Sequence, residues 1–352
     1  MKAIQYVSEW NQNDGVGNDV LGWCEIFDSL GIENQVKTEK FTKPFPGKEN
    51  IHKPLEIDYA SKEDDIHLLH FGGFSFRGID FKSFSGAKIL RYHNYTPTHF
   101  FKGIDDLYVS FEKSEILTEL SLASYQIYFD AIFGDSNYNL SSLYIMNDIK
   151  LIKVPIQKYF LTNPAKTRNK TKLKLGYLSR FSPQKKWEDL LELFFHLHSI
   201  FPESELYCIG KIPAFLETYY LNLSKIVEKM GLSSKIHFLT SIHETDAIKS
   251  LNQLDFFISM SEHEGFGLPL LEAFGQGVPV LAYSQGATPE TMQQGGILFQ
   301  KKDFRSLAYL ILELWNSTSM IETIRNQQYE VVNQHNLTYK SLAKTAITSY
   351  IR

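Results

Sequence analysis

Short apolar runs rich in β-formers alternate with longer stretches of helical spacing along the chain. This pattern predicts repeated βα units on parallel sheets. Candidate strands in the first half are 3–7, 66–71, 88–93, 107–111 and about 132–134. In the second half they are 173–178, 206–210, 236–239, 255–259, 278–282 and 297–299. Trp187, Leu190, Leu191, Phe194 and Leu197 recur at helical spacing and predict one buried helix face. Residues 157–172, QKYFLTNPAKTRNKTK, lack periodicity and are rich in Asn, Thr and Lys, as an interdomain linker would be. No repeat of fixed period appears. The expectation is an α/β protein of two doubly wound parallel-sheet domains, 1–156 and 173–335, joined by 157–172.

Composition fits that division. A chain of 352 residues exceeds one ordinary core. Hydrophobic residues at 43% and charged residues at 22% exclude a disordered or fibrous chain. The 26 Phe and 19 Tyr supply material for two large cores. A net charge of −4 argues against nucleic-acid binding by bulk charge. That charge is uneven: residues 1–155 carry 15 Lys/Arg against 22 Asp/Glu, and residues 156–352 carry 21 against 18. The basic half suits an anionic ligand, and surface variation accounts for the split equally well. Cys24 and Cys208 exclude a disulfide framework and suggest a reducing compartment. No run approaches the ~18 apolar residues of a membrane span. The first segment turns polar after Val7, so no signal-peptide core is expected. A cytoplasmic protein is the expectation.

Doubly wound sheets bind ligands at the carboxyl ends of their strands, so chemistry is sought in the loops that follow them. Four loops qualify. Ser261-Glu-His-Glu-Gly-Phe-Gly-Leu-Pro-Leu-Leu-Glu272 follows the strand 255–259. Gly265 and Gly267 allow a tight turn and close ligand approach, and Pro269 suits a first helical turn that runs to about Phe274 and the Gly275-Gln-Gly277 stop. Free N–H groups around Gly265, Phe266, Gly267 and Leu268 make an anion seat. Glu264 and Glu272 flank it and suit sugar hydroxyls. Glu25/Glu33 and Glu322/Glu330 share the eight-residue spacing but read as solvated helix faces.

Arg180 leaves the strand 173–178, Ser182-Pro183 opens the next helix, and Lys185 falls in its first turn. A cation is unfavourable there unless it meets an anion. A guanidinium and an ammonium converging on one point can neutralise a diphosphate; two exposed basic residues are the plainer alternative. His93 stands at the end of 88–93, where a pocket would open, or else is a satisfied buried histidine. His67 and His70, within a strand, read as structural. Gly15 and Gly17 lie in a glycine loop after the first strand. That loop lacks the third glycine of a dinucleotide fingerprint and reads as a flexible loop facing a cleft.

Absences narrow the chemistry. No two of the 16 aspartates are spaced i, i+2, and no Cys-x-x-Cys, His-Glu-x-x-His, Gly-x-Ser-x-Gly or Walker loop occurs. A site without a metal must stabilise a departing anion with Arg, Lys and a helix N-terminus.

These residues resemble the retaining glycosyltransferases of family 4, whose GT-B fold sets two Rossmann-like domains facing a central cleft. The resemblance rests on Arg180-x-x-x-x-Lys185, Gly210, the phrase EHEGFGLPLLEAFGQGVPVLA, Thr288-Pro-Glu290 and Gly295-Gly296. In the first half it rests on the glycine loop, the strand ending at His93 and Phe133-Gly-Asp-Ser136. It implies that Arg180 and Lys185 bind the donor diphosphate, and that Glu264 with the backbone of Gly265–Leu268 holds the donor sugar and phosphate. It further implies that Glu272 holds the ribose and that His93 reaches the donor sugar from the acceptor domain. It also implies a closing helix, 336–352, returning to the first domain.

The implied reaction is transfer from a UDP- or GDP-linked sugar to a saccharide or lipid-linked acceptor, with neither metal nor cofactor. Surface-glycan or polysaccharide synthesis is a family-level expectation; the aromatic segment Tyr95–Phe101 offers a contact for peripheral membrane association, and no nucleic-acid partner is expected. A GT-B epimerase or phosphorylase and a non-catalytic nucleotide-sugar binder are the competing readings. Gly15-Val-Gly17 departs from the adjacent glycines of many members, and Lys186 stands where a small residue often follows the basic one.

Overall fold

The computed structural model describes residues 1–11, 14–41, 43–56, 61–73, 80–104, 116, 119, 122–124, 126–143, 148–161, 171–240 and 244–351. They form two compact units. One takes the described residues of Met1–Thr98, Val109–Pro155 and His335–Arg352; the other takes those of His99–Tyr108 and Ile156–Gln334.

The first unit is built on seven strands: β1 (Lys2–Val7), β2 (Glu33–Thr38), β3 (His52–Pro54), β4 (Ile66–Phe71), β5 (Ala87–Tyr92), β6 (Ala131–Gly134) and β7 (Asp148–Leu151). They pair in the order β3-β2-β1-β4-β5-β6-β7, every pair parallel. The second unit has six: β8 (Leu173–Leu178), β9 (Ser204–Ile209), β10 (Ile236–Leu239), β11 (Phe256–Ser259), β12 (Val280–Tyr283) and β13 (Ile297–Phe299). Their order is β10-β9-β8-β11-β12-β13, again all parallel. Both orders are doubly wound, so strand order reverses beside β1 and beside β8. Those switch points, β1/β4 and β8/β11, are where such sheets open a crevice.

The strands expected from the sequence lie within two residues of those observed, apart from 107–111, which falls outside the described residues. β2, β3 and β7 were not expected. The first is masked by its composition: Asn34, Lys37 and Thr38 are buried in it, and Asn34 Nδ2 donates to Asp28 Oδ1 at 2.7 Å. The other two are short edge strands, where Pro54 and the exposed Asp148 and Ile149 are tolerated. Glu33 lies on β2, so Glu25 and Glu33 share no helix face, although both are exposed.

In the first unit the helix Gly15–Ser29 buries Trp23, Ile26 and Phe27 against Ile66, Leu68, Ile89 and Phe133. Tyr339, Ala343 and Ile347, from the end of the helix Thr318–Thr348, join that core. Gly22 makes the fit possible, because a Cβ there would lie 2.4 Å from Tyr339 Oη and 2.5 Å from Pro155 Cγ. In the second unit the stripe Trp187, Leu190, Leu191, Phe194 and Leu197 is wholly buried on the helix Trp187–Ile200. Each such side chain contributes about 1.5–3 kcal/mol by leaving water. Among the described residues, no helix is long and apolar enough to cross a membrane.

Candidate active site

The segment after β8 is a turn, not the continuous helix expected from Ser182-Pro183. Pro183–Lys185 makes one 3₁₀ turn, and Lys186, at φ 52° and ψ 53°, ends it before the α-helix begins at Trp187. A left-handed residue cannot propagate a right-handed helix. Tertiary contacts fix the break: Phe181 stacks on Trp187 with centroids 4.4 Å apart, and Trp187 Nε1 donates to the Arg180 carbonyl at 3.1 Å. The turn carries Lys185 inward, where it is 9% exposed and donates through Nζ to Glu264 Oε1 at 2.6 Å. Burial pushes the Lys185 ammonium below the usual lysine range; Glu264 draws it back up and Arg180 pushes it further down. Arg180 itself is exposed and makes no ion pair with the described residues. Lys186 meets Glu262 at 3.3 Å.

The loop after β11 is laced to that turn. Glu262 N donates to the Gln184 carbonyl at 2.9 Å, and the Ser261 hydroxyl reaches the same oxygen at 3.3 Å. Ala287 N donates to the Glu264 carbonyl at 2.9 Å, and Thr291 Oγ1 donates to the Phe266 carbonyl at 2.5 Å. Lys302 Nζ clamps the loop from outside, 2.7 Å from Glu262 Oε1 and 2.5 Å from Asp189 Oδ2. Burial works to raise the Glu262 carboxyl, but Lys302 and Lys186 outweigh it and hold it below its ordinary range. Gly267, at φ 86°, turns the chain into the helix Leu268–Gly275 with Pro269 in the first turn and no side-chain cap. Glu264, Phe266, Leu268 and Glu272 are buried around this turn, with Gly265 between the first two in sequence. A buried cation–carboxylate pair beside an uncapped helix start can hold an anion while offering a carboxylate to hydroxyl donors.

In the first unit His93 follows β5 and is both site candidate and satisfied histidine. Its Nε2 lies 3.1 Å from His70 Nδ1 and its Nδ1 lies 3.2 Å from Asp135 Oδ2. Arg91, fully buried, donates from Nε and Nη2 to the two oxygens of Asp19 at 2.7 and 2.9 Å. Asp19, His70 and His93 bring three ligand-type atoms within 4.8 Å of one another, a grouping that these hydrogen bonds already fill.

Gly15 and Gly17 lie in the first turn of the helix Gly15–Ser29, not in a loop. Asp14 caps that helix by accepting from Gly17 N at 2.5 Å, and a Cβ on Gly17 would fall 1.9 Å from the Asn11 carbonyl oxygen. The sequence reading passed over Gln5, Asp19, Arg91 and Asp135 as site residues. For Gln5 and Arg91 the available signal was a polar residue within an apolar parallel-strand run, where positions are buried on both faces. Asp19, on the helix Gly15–Ser29, and Asp135, just beyond β6, carried no such signal.

Residues 161–331 match the family described as Glycosyl transferases group 1. N-acetyl-alpha-D-glucosaminyl L-malate synthase of Bacillus anthracis is 26% identical over 177 residues, covering 47% of this chain and 44% of that one. A GDP-mannose-dependent monoacylated phosphatidylinositol monomannoside mannosyltransferase of Corynebacterium glutamicum is 26% identical over 174 residues, covering 45% and 44%. These matches span less than half the length of the curated relatives. The structure of HepE of Anabaena in complex with UDP and glucose shares the fold at a TM-score of 0.74 and 14% identity, over 99% of this chain and 100% of that one. The fold is therefore GT-B, with two Rossmann-like parallel-sheet domains.

Proposed function

We propose that the chain is a retaining glycosyltransferase. It moves a sugar from a UDP- or GDP-linked donor to a saccharide or lipid-linked acceptor in surface-glycan or polysaccharide synthesis, at the cytoplasmic face of a membrane. The observation that carries this reading is the buried Lys185–Glu264 contact at the β8/β11 switch point, beside the helix opened by Gly267. The family match and the relatives' sugar-transfer names support it.

Lys185 and Arg180 neutralise the diphosphate, with the N–H groups of Gly265–Leu268 completing the anion seat. Glu264 accepts from donor-sugar hydroxyls and Glu272 from the ribose. These positive groups supply the stabilisation that a metal would otherwise give, so the reaction proceeds without one. His93 serves the donor sugar from the strand end it occupies. The sugar's C1–O bond to phosphate breaks as a C1–O bond to the acceptor forms on the same face. The acceptor's proton passes to the leaving phosphate oxygen.

The test is incubation with UDP- and GDP-sugars and a panel of saccharide and lipid-linked acceptors in EDTA, followed by NMR of the product's anomeric centre. Retained configuration supports the reading. An inverted product, or free epimerised nucleotide sugar with no acceptor consumed, overturns it.

A further inference from the structure

A chain of polar groups runs through the first unit beneath His93, and its hydrogen bonds do not balance with two neutral imidazoles. Gln5 Oε1 faces His70 Nε2 at 2.8 Å. The Gln5 amide is oriented by its nitrogen, which donates to the Val20 carbonyl at 3.4 Å and to Cys24 Sγ at 3.2 Å. At the other end, Asp135 Oδ2 faces His93 Nδ1 at 3.2 Å. Both ends are acceptors, so both outer ring nitrogens must donate. The inner nitrogens, His70 Nδ1 and His93 Nε2, still lie 3.1 Å apart, with the rings 8° from parallel. Two bare lone pairs at that distance repel each other. Three contacts require three protons, and two neutral imidazoles carry only two.

We propose that His70 is a positioning residue that holds His93 as an imidazolium, through a proton shared between His70 Nδ1 and His93 Nε2.

The charges around the pair agree. Arg91 and the extra proton carry two positive charges, and Asp19 and Asp135 carry two negative ones. Asp19 Oδ2 lies 3.5 Å from His70 Nδ1 and 3.6 Å from His93 Nε2. The other titratable neighbours stay neutral: burial pushes the Cys24 thiol up to about 12 and the Tyr339 hydroxyl well above its usual range. A neutral histidine pair would leave a net buried negative charge, which a low-dielectric interior disfavours. A divalent ion in the proton's place would leave a net positive one. His93 Nδ1 faces a carboxylate, Asp135, whereas His70 Nε2 faces only the neutral Gln5 amide, so the extra proton rests on the His93 ring. Burial, with His93 and Arg91 adding to it, pushes His70 well below the ordinary histidine range in the same sense. Asn139 completes the arrangement, its Nδ2 donating to Asp135 Oδ1 and its Oδ1 accepting from Asn94 Nδ2 at 2.8 Å. Both ring nitrogens of His93 are thereby committed inside the unit. What the residue presents at the strand end is a fixed positive charge instead of a free imidazole base.

The inference concerns the resting protein and stands or falls separately from the transfer reaction. Ring-¹⁵N-labelled histidine in the full chain, read by two-bond proton–nitrogen correlation at neutral pH, tests it. One histidine, identified by its loss in His93→Gln, should show both ring nitrogens protonated, and His70 only Nε2. His70→Leu should convert His93 to the neutral form protonated at Nδ1. His70→Asn, which keeps an acceptor, should restore the doubly protonated pattern and guards against a Leu variant that fails to fold. A singly protonated His93 in the wild-type protein overturns the proposal. So does stoichiometric zinc in the purified protein, with the doubly protonated pattern appearing only after chelation.

Discussion

Lys185 Nζ and Glu264 Oε1 lie 2.6 Å apart, each residue about one-tenth exposed, although one follows β8 and the other follows β11. The contact ties together the two strand ends of the switch point. It has a cost: two charges have been removed from water, and neither is tolerable alone. A donor diphosphate arriving beside Lys185 would share the ammonium and leave Glu264 free to accept from sugar hydroxyls.

Mutual dependence follows. Lys185→Met and Glu264→Gln should each lower unfolding free energy by about 3–5 kcal/mol, because each leaves an unpaired buried charge. The double variant should be destabilised by less than the sum of the singles, with a coupling of at least about 1 kcal/mol. Urea denaturation of the four proteins checks this; strict additivity would contradict the buried pairing.

Gly267 has φ 86°, and a Cβ there would meet Leu270 Cδ1 at 2.9 Å. Gly267→Ala should therefore cost about 1–2 kcal/mol in backbone strain. Since the turn aims the N–H groups of the helix start, nucleoside diphosphate affinity should fall at least about tenfold, or 1.4 kcal/mol. Calorimetric titration beside a thermal melt separates the two effects.

Acid should weaken the first unit before the carboxylates matter. His67 accepts from the Tyr6 hydroxyl at Nδ1 and donates from Nε2 to the Ser85 carbonyl, and His335 Nε2 donates to the Val154 carbonyl at 2.8 Å. Burial lowers both to about 4. The unfolded chain takes up these protons near pH 6.5 and the folded one only near 4. Stability is therefore intact above pH 6.5 and lost as pH falls through that window, by on the order of 3 kcal/mol per histidine. His335→Gln keeps the donor without the titration, so its urea midpoint should fall less between pH 7 and pH 5 than that of wild type.

Most strand positions were legible because parallel strands buried on both faces are written as short apolar runs; the exceptions have physical causes. β2 hides Asn34, Lys37 and Thr38 in its core-facing positions, and no periodicity rule anticipates a buried lysine. The break at Lys186 was invisible because it depends on Phe181 stacking on Trp187 and not on local propensity. Glu264 and Lys185 were legible as loop chemistry, but their contact spans 79 residues of sequence. The network beneath His93 draws on β1, β4, β5 and the helix Gly15–Ser29, which only the strand order brings together.

Calorimetric titration of UDP and GDP, in EDTA, into the wild-type protein and Lys185→Met decides whether Lys185 holds the donor diphosphate, with circular dichroism confirming that the variant is folded. One of the two nucleotides should bind the wild-type protein without metal and bind the variant at least about tenfold more weakly. Equal binding by the folded variant, or binding of neither nucleotide by the wild-type protein, would contradict it.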